Sequence, residues 1–317
     1  MIFSLLLVVA GFMFLIFGAN WLVNGASALA KKYNVSDLAI GLTIVALGTS
    51  APELVVNIIS SVNGYSDLVL GNIIGSNNFN LFIVLGLLAL ILPIKVQSST
   101  AWKEIPISLF VSVLLLFLIN DFQFSGKTYS SRIDGFIMLG LFCLFLYYVF
   151  HQMKKEPQTQ TKVNQKSAIK VWGLIIVGLT GLIAGGQLVV ENSVNIANEI
   201  GVSEKIIGLT IVAVGTSLPE LVTSIVATTK KNSDIAIGNL IGSNIFNILL
   251  ILSISSIINP IEYNSKFNLD LFIMIAGTFL LLMFMISGKN KTLDRWEAAI
   301  LFSFYIVYTI YLVMKEI

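Results

Sequence analysis

The chain has 317 residues, 56% of them hydrophobic and only 11% charged, with a mean hydropathy of +0.90. A soluble domain carries about 25% charged residues, so a soluble domain is excluded and an integral membrane protein is indicated. The net charge of +2 comes from basic residues scattered between apolar stretches, which leaves no footprint for nucleic acid, and the single cysteine, Cys143, excludes an intrachain disulfide.

The first apolar run follows Met1-Ile2-Phe3-Ser4, which lacks the positive n-region and small-residue cleavage site of a signal peptide, so a retained helix is expected. Stretches of roughly 20 apolar residues match a bilayer core about 30 Å thick. Ten such helices are predicted, over 2–29, 37–62, 67–93, 102–120, 132–151, 169–198, 205–229, 234–259, 267–287 and 294–314. Runs this long and continuously apolar satisfy their backbone groups internally only as helices, since barrel strands would be short and alternating. The longest polar connection, 151–167, holds Lys154, Lys155, Glu156, Pro157, Lys162 and Lys166. It divides the chain into a first half, 1–151, a solvated linker, 152–168, and a second half, 169–317.

Fourteen of the 19 Lys and Arg residues follow odd-numbered helices, and five follow even-numbered ones or the last. The positive-inside rule then puts the 152–168 linker in the cytoplasm and both termini outside. The expected location is the plasma (inner) membrane, with the lipid bilayer as the surrounding partner and no obligate protein partner evident.

One stretch occurs twice. Gly48-Thr49-Ser50-Ala51-Pro52-Glu53 and Gly71-Asn72-Ile73-Ile74-Gly75-Ser76-Asn77-Asn78-Phe79-Asn80 recur as Gly215-Thr216-Ser217-Leu218-Pro219-Glu220 and Gly238-Asn239-Leu240-Ile241-Gly242-Ser243-Asn244-Ile245-Phe246-Asn247. Every pair is offset by 167 positions, and 13 of the 15 residues over 40–54 are identical to their counterparts. The repeats cover about 35–93 and 202–260. Five helices per half is an odd number, so the second half enters the membrane inverted. The expected fold is therefore an all-α membrane protein of ten helices in two inverted-topology repeats of five, the arrangement of secondary transporters with a midplane site.

The repeated residues lie near the centres of their helices. Pro52 and Pro219 lack an N–H, so each leaves the carbonyl four residues earlier without its helical donor and kinks the helix. A buried Glu costs roughly 2.5–3.5 kcal/mol to insert at the membrane centre, and two are tolerable if they share a cation. Carboxylates, hydroxyls, amide oxygens and freed carbonyls, without Cys or His nearby, suit a hard cation such as calcium rather than zinc or copper. Gly71, Gly75 and Ser76, with Gly238, Gly242 and Ser243, make small faces that would let Asn80 and Asn247 approach the two glutamates.

Together these motifs resemble the alpha-repeats of the calcium/cation antiporter superfamily, most closely those of prokaryotic sodium/calcium exchangers. The resemblance implies that calcium is bound by Glu53 and Glu220 with the Thr49 and Thr216 carbonyls. For sodium it adds Ala46, Ser50, Ser76, Ala213, Ser217 and Ser243, with Asn80 and Asn247 completing the centre. It also implies calcium and sodium as transported ions, with no organic cofactor. Some relatives, potassium-dependent exchangers among them, carry Asp at the Asn247 position, and Asn in both copies argues against potassium coupling.

The remaining polar residues have plainer readings. Ser50-x-x-Glu53 and Ser217-x-x-Glu220 also fit a capping box, and a capping role is expected beside the ionic one. Asn77 and Asn244 are expected to hydrogen-bond between helices, Asp67 and Asp234 to cap helix starts, Glu191 to line or border the sixth helix, and His151 to be solvated. No nucleophile–base pair or phosphate loop is present, so an enzyme is not expected. A sodium-driven calcium antiporter is the leading expectation; a calcium/proton antiporter comes second, and a channel or membrane scaffold third.

Overall fold

A computed structural model describes residues 1–32, 46–95, 100–119, 129–153, 168–229, 233–287 and 292–316. Among these residues nine helices are long and apolar enough to cross a bilayer. Helix α1 (Ile2–Lys32) is followed by two short helices, α2 (Ala46–Thr49) and α3 (Ala51–Val62). Helix α4 (Ser66–Asn78) passes through a wide π-type segment, Phe79–Val84, into α5 (Leu85–Ile91). Helices α6 (Ile105–Ile119) and α7 (Arg132–Met153) complete the first half, and α8 (Ala168–Ile200) opens the second.

The second half repeats the pattern. Helix α9 (Glu204–Ile207) leads through a wide segment, Gly208–Val212, into α10 (Ala213–Thr216) and then α11 (Leu218–Thr229). Helix α12 (Ser233–Phe246) continues through Asn247–Leu252 into α13 (Ser253–Ile258), followed by α14 (Asn268–Ser287) and α15 (Arg295–Glu316). The chain is an all-α integral membrane protein. The helix expected over 37–62 is described from Ala46 onward, where it is α2 and α3, and its earlier part lies outside the described residues.

Helices are not the whole of the connections. β1 (Ile94–Lys95) pairs antiparallel with β4 (Thr292–Leu293), and β2 (Tyr129–Ser130) with β3 (Ile261–Glu262). These two-residue pairings join helix ends where backbone groups leave the apolar core and need partners.

Burial sorts the helices into central and peripheral ones. The apolar stretch of Ser66–Ile91 is 83% buried and that of Ala236–Ile258 72%, against 17% for Arg132–His151. The two helices carrying the Gly-Asn-x-x-Gly-Ser-Asn motif are therefore the core, and α7 is a lipid-facing strut. In lipid, helices associate through close packing rather than hydrophobic driving force, and small residues permit it here. A methyl group added at Gly75 would lie 2.8 Å from the Leu209 carbonyl oxygen, so α4 meets the Gly208–Val212 segment backbone to backbone.

The same device joins α1 to α8. A methyl group at Gly11 would lie 2.9 Å from the Gly185 carbonyl oxygen, and one at Gly18 would lie 2.8 Å from that of Gly178. Rising numbers on α1 meet falling numbers on α8, so the two helices run antiparallel. The N-terminal ammonium of Met1 pairs with Glu199 near the end of α8. Gly64 takes φ +79° and closes α3. Tyr65 N–H donates to the Ser60 carbonyl and Gly64 N–H to that of Ser61, at 2.9 and 3.1 Å, which is the Schellman closure that a left-handed glycine allows.

Candidate functional site

The two proline-containing motifs break their helices in the same way. Ser50, between α2 and α3, has φ −84° and ψ 5°, and Ser217, between α10 and α11, has φ −84° and ψ 4°. A ψ near zero turns the chain out of the helical ladder, and the proline two residues later cannot restore the missing bond. Each break therefore presents a hydroxyl and main-chain carbonyls inside the protein.

Those hydroxyls cross to the other half. Ser50 Oγ donates to Glu220 Oε1 at 3.0 Å, and Ser217 Oγ donates to Glu53 Oε1 at 3.0 Å. Ser243 Oγ joins Glu220 Oε1 at 3.2 Å and receives the Ser50 hydroxyl at 3.0 Å. Ser76 Oγ instead lies 3.2 Å from Asn72 Oδ1 and 3.5 Å from the Ala213 carbonyl oxygen. The threonines are held by matching partners, Thr49 Oγ1 on Asn239 Oδ1 at 3.2 Å and Thr216 Oγ1 on Asn72 Oδ1 at 3.1 Å.

The expected capping box does not form at Ser50, whose side chain makes no cap bond because Glu220 and Ser243 hold its hydroxyl. Asp67 does not cap either; it is the second residue of α4, after an N-cap Tyr65. Asp234 likewise is the second residue of α12, and its side chain lies outside the described residues.

A ring of amides lies beside the carboxylates. Asn77 Nδ2 donates to the Asn244 carbonyl at 3.3 Å, and Asn244 Nδ2 returns a bond to the Asn77 carbonyl at 3.4 Å. Asn80 Nδ2 donates to Asn244 Oδ1 at 3.3 Å, and Asn247 Nδ2 to Asn77 Oδ1 at 2.9 Å. Asn77 and Asn244 thus make the interhelical bonds expected of them.

Glu53 and Glu220 are 1% and 0% exposed, and their charges repel each other across the site. Four buried oxygens here have no hydrogen-bond donor: Glu53 Oε2, Glu220 Oε2, Asn80 Oδ1 and Asn247 Oδ1. Leaving a buried acceptor unpaired costs about 1–3 kcal/mol, and more when it is charged. Carboxylate and amide oxygens of this kind are the ligands a hard cation takes. Among the described residues no group of three or more His, Cys, Asp or Glu comes together, so Glu53 and Glu220 have no third acidic neighbour here.

The structure thus brings together Glu53, Glu220, Thr49, Thr216, Ser50, Ser217, Ser76, Ser243, Asn80 and Asn247, all buried. Ala213 takes part through its carbonyl, while Ala46 opens α2 and its side chain lies outside the described residues. Asn72 and Asn239 were absent from the expected set, although their matched places in the repeat marked them. Also unforeseen is a buried ion pair, Lys205 Nζ to Asp270 Oδ2 at 2.7 Å, with Tyr308 donating to Asp270 Oδ1 at 2.7 Å. Lys205, expected in an external loop, sits inside the first turn of α9 because Asp270 neutralises it there. Glu191 is exposed on α8, where it accepts from Gln187 Nε2 at 3.0 Å, and His151 is exposed near the end of α7.

Apolar helices packed through glycine around two buried carboxylates define a membrane protein built to hold a cation. The particular family follows from likeness to known proteins. The sodium/calcium exchanger protein family matches residues 3–151 and 170–314, and the chain belongs to that family. It is 31% identical to sodium/calcium exchanger MaX1 of Methanosarcina acetivorans, over 98% of each chain. It is 33% identical to inner membrane protein YrbG of Escherichia coli, over 88% of this chain and 89% of that one. The structure of the sodium-calcium exchanger NCX_Mj soaked with Na+ and Sr2+ superposes with a TM-score of 0.67 at 31% identity, covering 96% of this chain and 97% of that one. The protein is a prokaryotic-type member of the calcium/cation antiporter superfamily, a family of transporters for sodium and calcium ions.

Proposed function

We propose that the protein exchanges sodium for calcium by alternating access, and that the exchange is electrogenic. The observation that carries this reading is the set of four donor-less buried oxygens on Glu53, Glu220, Asn80 and Asn247. Calcium would be held by Glu53 and Glu220 with the Thr49 and Thr216 carbonyls. Sodium ions would use the same two carboxylates together with Ala46, Ser50, Ser76, Ala213, Ser217 and Ser243, and Asn80 and Asn247 would complete the centre. Because both cargoes need the same two charges, they exclude each other, and that exclusion is what makes an exchanger rather than a co-transporter. The names of MaX1 and NCX_Mj support sodium as the driving ion.

The halves 1–151 and 169–317 act as two inverted five-helix repeats, joined by a cytoplasmic 152–168 linker, in the plasma (inner) membrane with external termini. Parity supports the count of ten. Met1 pairs with Glu199, which fits an even number of crossings between them and so the expected one at 37–62. Antiparallel α1 and α8 then form one moving unit against the site. Phe12 of α1 rests on Gly215 so tightly that no methyl group fits between them, so a shift of this unit uncovers one rim of the site. The test is calcium flux in proteoliposomes under imposed sodium, potassium and proton gradients. Uptake is expected with an outward sodium gradient alone; uptake driven only by a pH gradient would refute sodium coupling.

A further inference from the structure

We propose that Asn77 and Asn244 are positioning residues that set the polarity of the Asn247 and Asn80 carboxamides, so that each presents its oxygen to the cation. The proposal rests on reading the site as a cation centre. A carboxamide is nearly symmetric in shape but not in chemistry: one end donates and the other accepts. An Asn beside a cation is a ligand only with its oxygen inward; with the NH2 inward it repels.

The polarity is dictated by two backbone carbonyls. A carbonyl only accepts, so the Asn77 carbonyl, 3.4 Å from Asn244 Nδ2, fixes which end of the Asn244 amide faces it. Asn244 Oδ1 is then turned to Asn80, which must offer its NH2, at 3.3 Å. Asn80 Oδ1 is left over, buried and without a donor. The mirror chain runs from the Asn244 carbonyl to Asn77 Nδ2 at 3.3 Å, then from Asn77 Oδ1 to Asn247 Nδ2 at 2.9 Å, leaving Asn247 Oδ1. The second hydrogen of Asn77 Nδ2 faces Met274 Sδ at 3.5 Å, a weak acceptor that further disfavours a flipped amide. Each half thus orients the ligand amide of the other.

The carbonyls sit where they can serve this purpose. The wide turns begin at Phe79 and at Asn247, two and three residues beyond Asn77 and Asn244. A π-type turn shifts the helical ladder by one residue, a feature frequent at functional sites. Asn77 and Asn244 are 1% and 4% exposed, so water does not compete for these bonds.

The experiment uses purified full-length protein carrying Asn77→Leu or Asn244→Leu, which keep the volume and remove the amide oxygen that receives the ligand amide's NH2. Thermal stabilisation by CaCl2 and by NaCl reads binding without transport, and initial rates of calcium uptake read KM and maximal rate. An outer residue that orients a metal ligand is worth about 10- to 100-fold in affinity. The expected result is an apparent calcium Kd and KM raised about tenfold or more, with maximal rate within about twofold. Adding Asn77→Leu to Asn247→Ala should cost nothing further, because Asn77 acts through Asn247. Asn77→Ala, which removes the same amide oxygen without overfilling the site, should lose affinity equally and covers the case in which the Leu variant fails to fold. Wild-type affinity in the folded variants, or losses that add in the double variant, would overturn the proposal alone. Wild-type protein unaffected by either salt would overturn the cation-centre reading itself.

Discussion

Replacing Glu220 by Gln tests the centre most directly, because it changes charge with little change of shape. In the folded protein Glu220 Oε1 accepts the Ser50 and Ser243 hydroxyls at 3.0 and 3.2 Å, and Gln keeps an oxygen for both. What changes is Oε2, buried and without a donor, which becomes an NH2 facing the ion. Two unit charges about 4 Å apart interact by roughly 4 kcal/mol at an effective dielectric of about 20, and a divalent ion doubles that. The Gln amide oxygen and the Ser50 and Ser243 hydroxyls beside it, turned toward the ion, return part of that. The net loss is then about 2–4 kcal/mol, or roughly 30- to 1,000-fold in calcium affinity. The cation-free protein should move the other way and melt higher, because repulsion between Glu53 and Glu220 is relieved. Thermal melts with and without CaCl2, beside calcium flux, read both effects; Glu53→Gln should behave alike, and exposed Glu191→Gln should stay within about twofold of wild type. Wild-type flux and calcium stabilisation in both buried variants would refute the assignment.

The basic residues predict that cysteines introduced at Gln158 and Ile317, in a Cys143-free background, react with membrane-impermeant reagents from opposite sides, the linker from the cytoplasm; external reaction at Gln158 would contradict the orientation. Gly18→Ala should force α1 from α8, since its methyl would sit 2.8 Å from the Gly178 carbonyl oxygen. Against Gly140→Ala, whose methyl meets nothing within 4 Å, a loss of about 1–3 kcal/mol is expected from overpacking, read as a lower melting temperature; equal melting would show that the helices are not held backbone to backbone. Cross-linking α1 to α3 or α11 should stop exchange while calcium still stabilises the protein, and unimpaired turnover in fully cross-linked protein would remove the moving-unit mechanism.

Most of the centre was legible because two copies of one motif carry the same polar residues at one fixed offset, which chance similarity of apolar helices would not preserve. Asn72 and Asn239 were equally marked yet missed, since what they do is hold threonine hydroxyls across the two halves. The wide turns at Phe79–Val84 and Asn247–Leu252 left no trace in composition. A register change of this kind is settled by packing between helices, where propensity is silent. The ion pair of Lys205 with Asp270 was illegible for another reason: the residues 167 positions earlier are Leu38 and Lys103, so no repetition flagged it. Ser50 reads locally as a cap, but donating to Glu220 on the other half turns its side chain away from the nearby backbone N–H.

Charge at the centre leads to a last prediction. Glu53 and Glu220 supply two negative charges, whereas Asn80 and Asn247 supply oxygens without charge. One calcium ion neutralises the pair, and so do two sodium ions, in which case exchange would move no net charge. The surrounding oxygens exceed what two sodium ions need, since Ser50, Ser76, Ser217 and Ser243 all lie buried around the carboxylates. A third sodium would use them and leave the loaded site with one positive charge, which hydroxyl and carbonyl dipoles can offset in low dielectric. Each calcium entering a vesicle would then be balanced by three sodium ions leaving, and one positive charge would be exported. A potential of 100 mV acting on that charge is worth about 2.3 kcal/mol, roughly fiftyfold in the calcium gradient reached at equilibrium. In sodium-loaded vesicles clamped with valinomycin, high external potassium makes the interior positive and should speed calcium uptake, while high internal potassium should slow it. Uptake indifferent to the clamp would mean electroneutral exchange and only two sodium ions at the carboxylate pair.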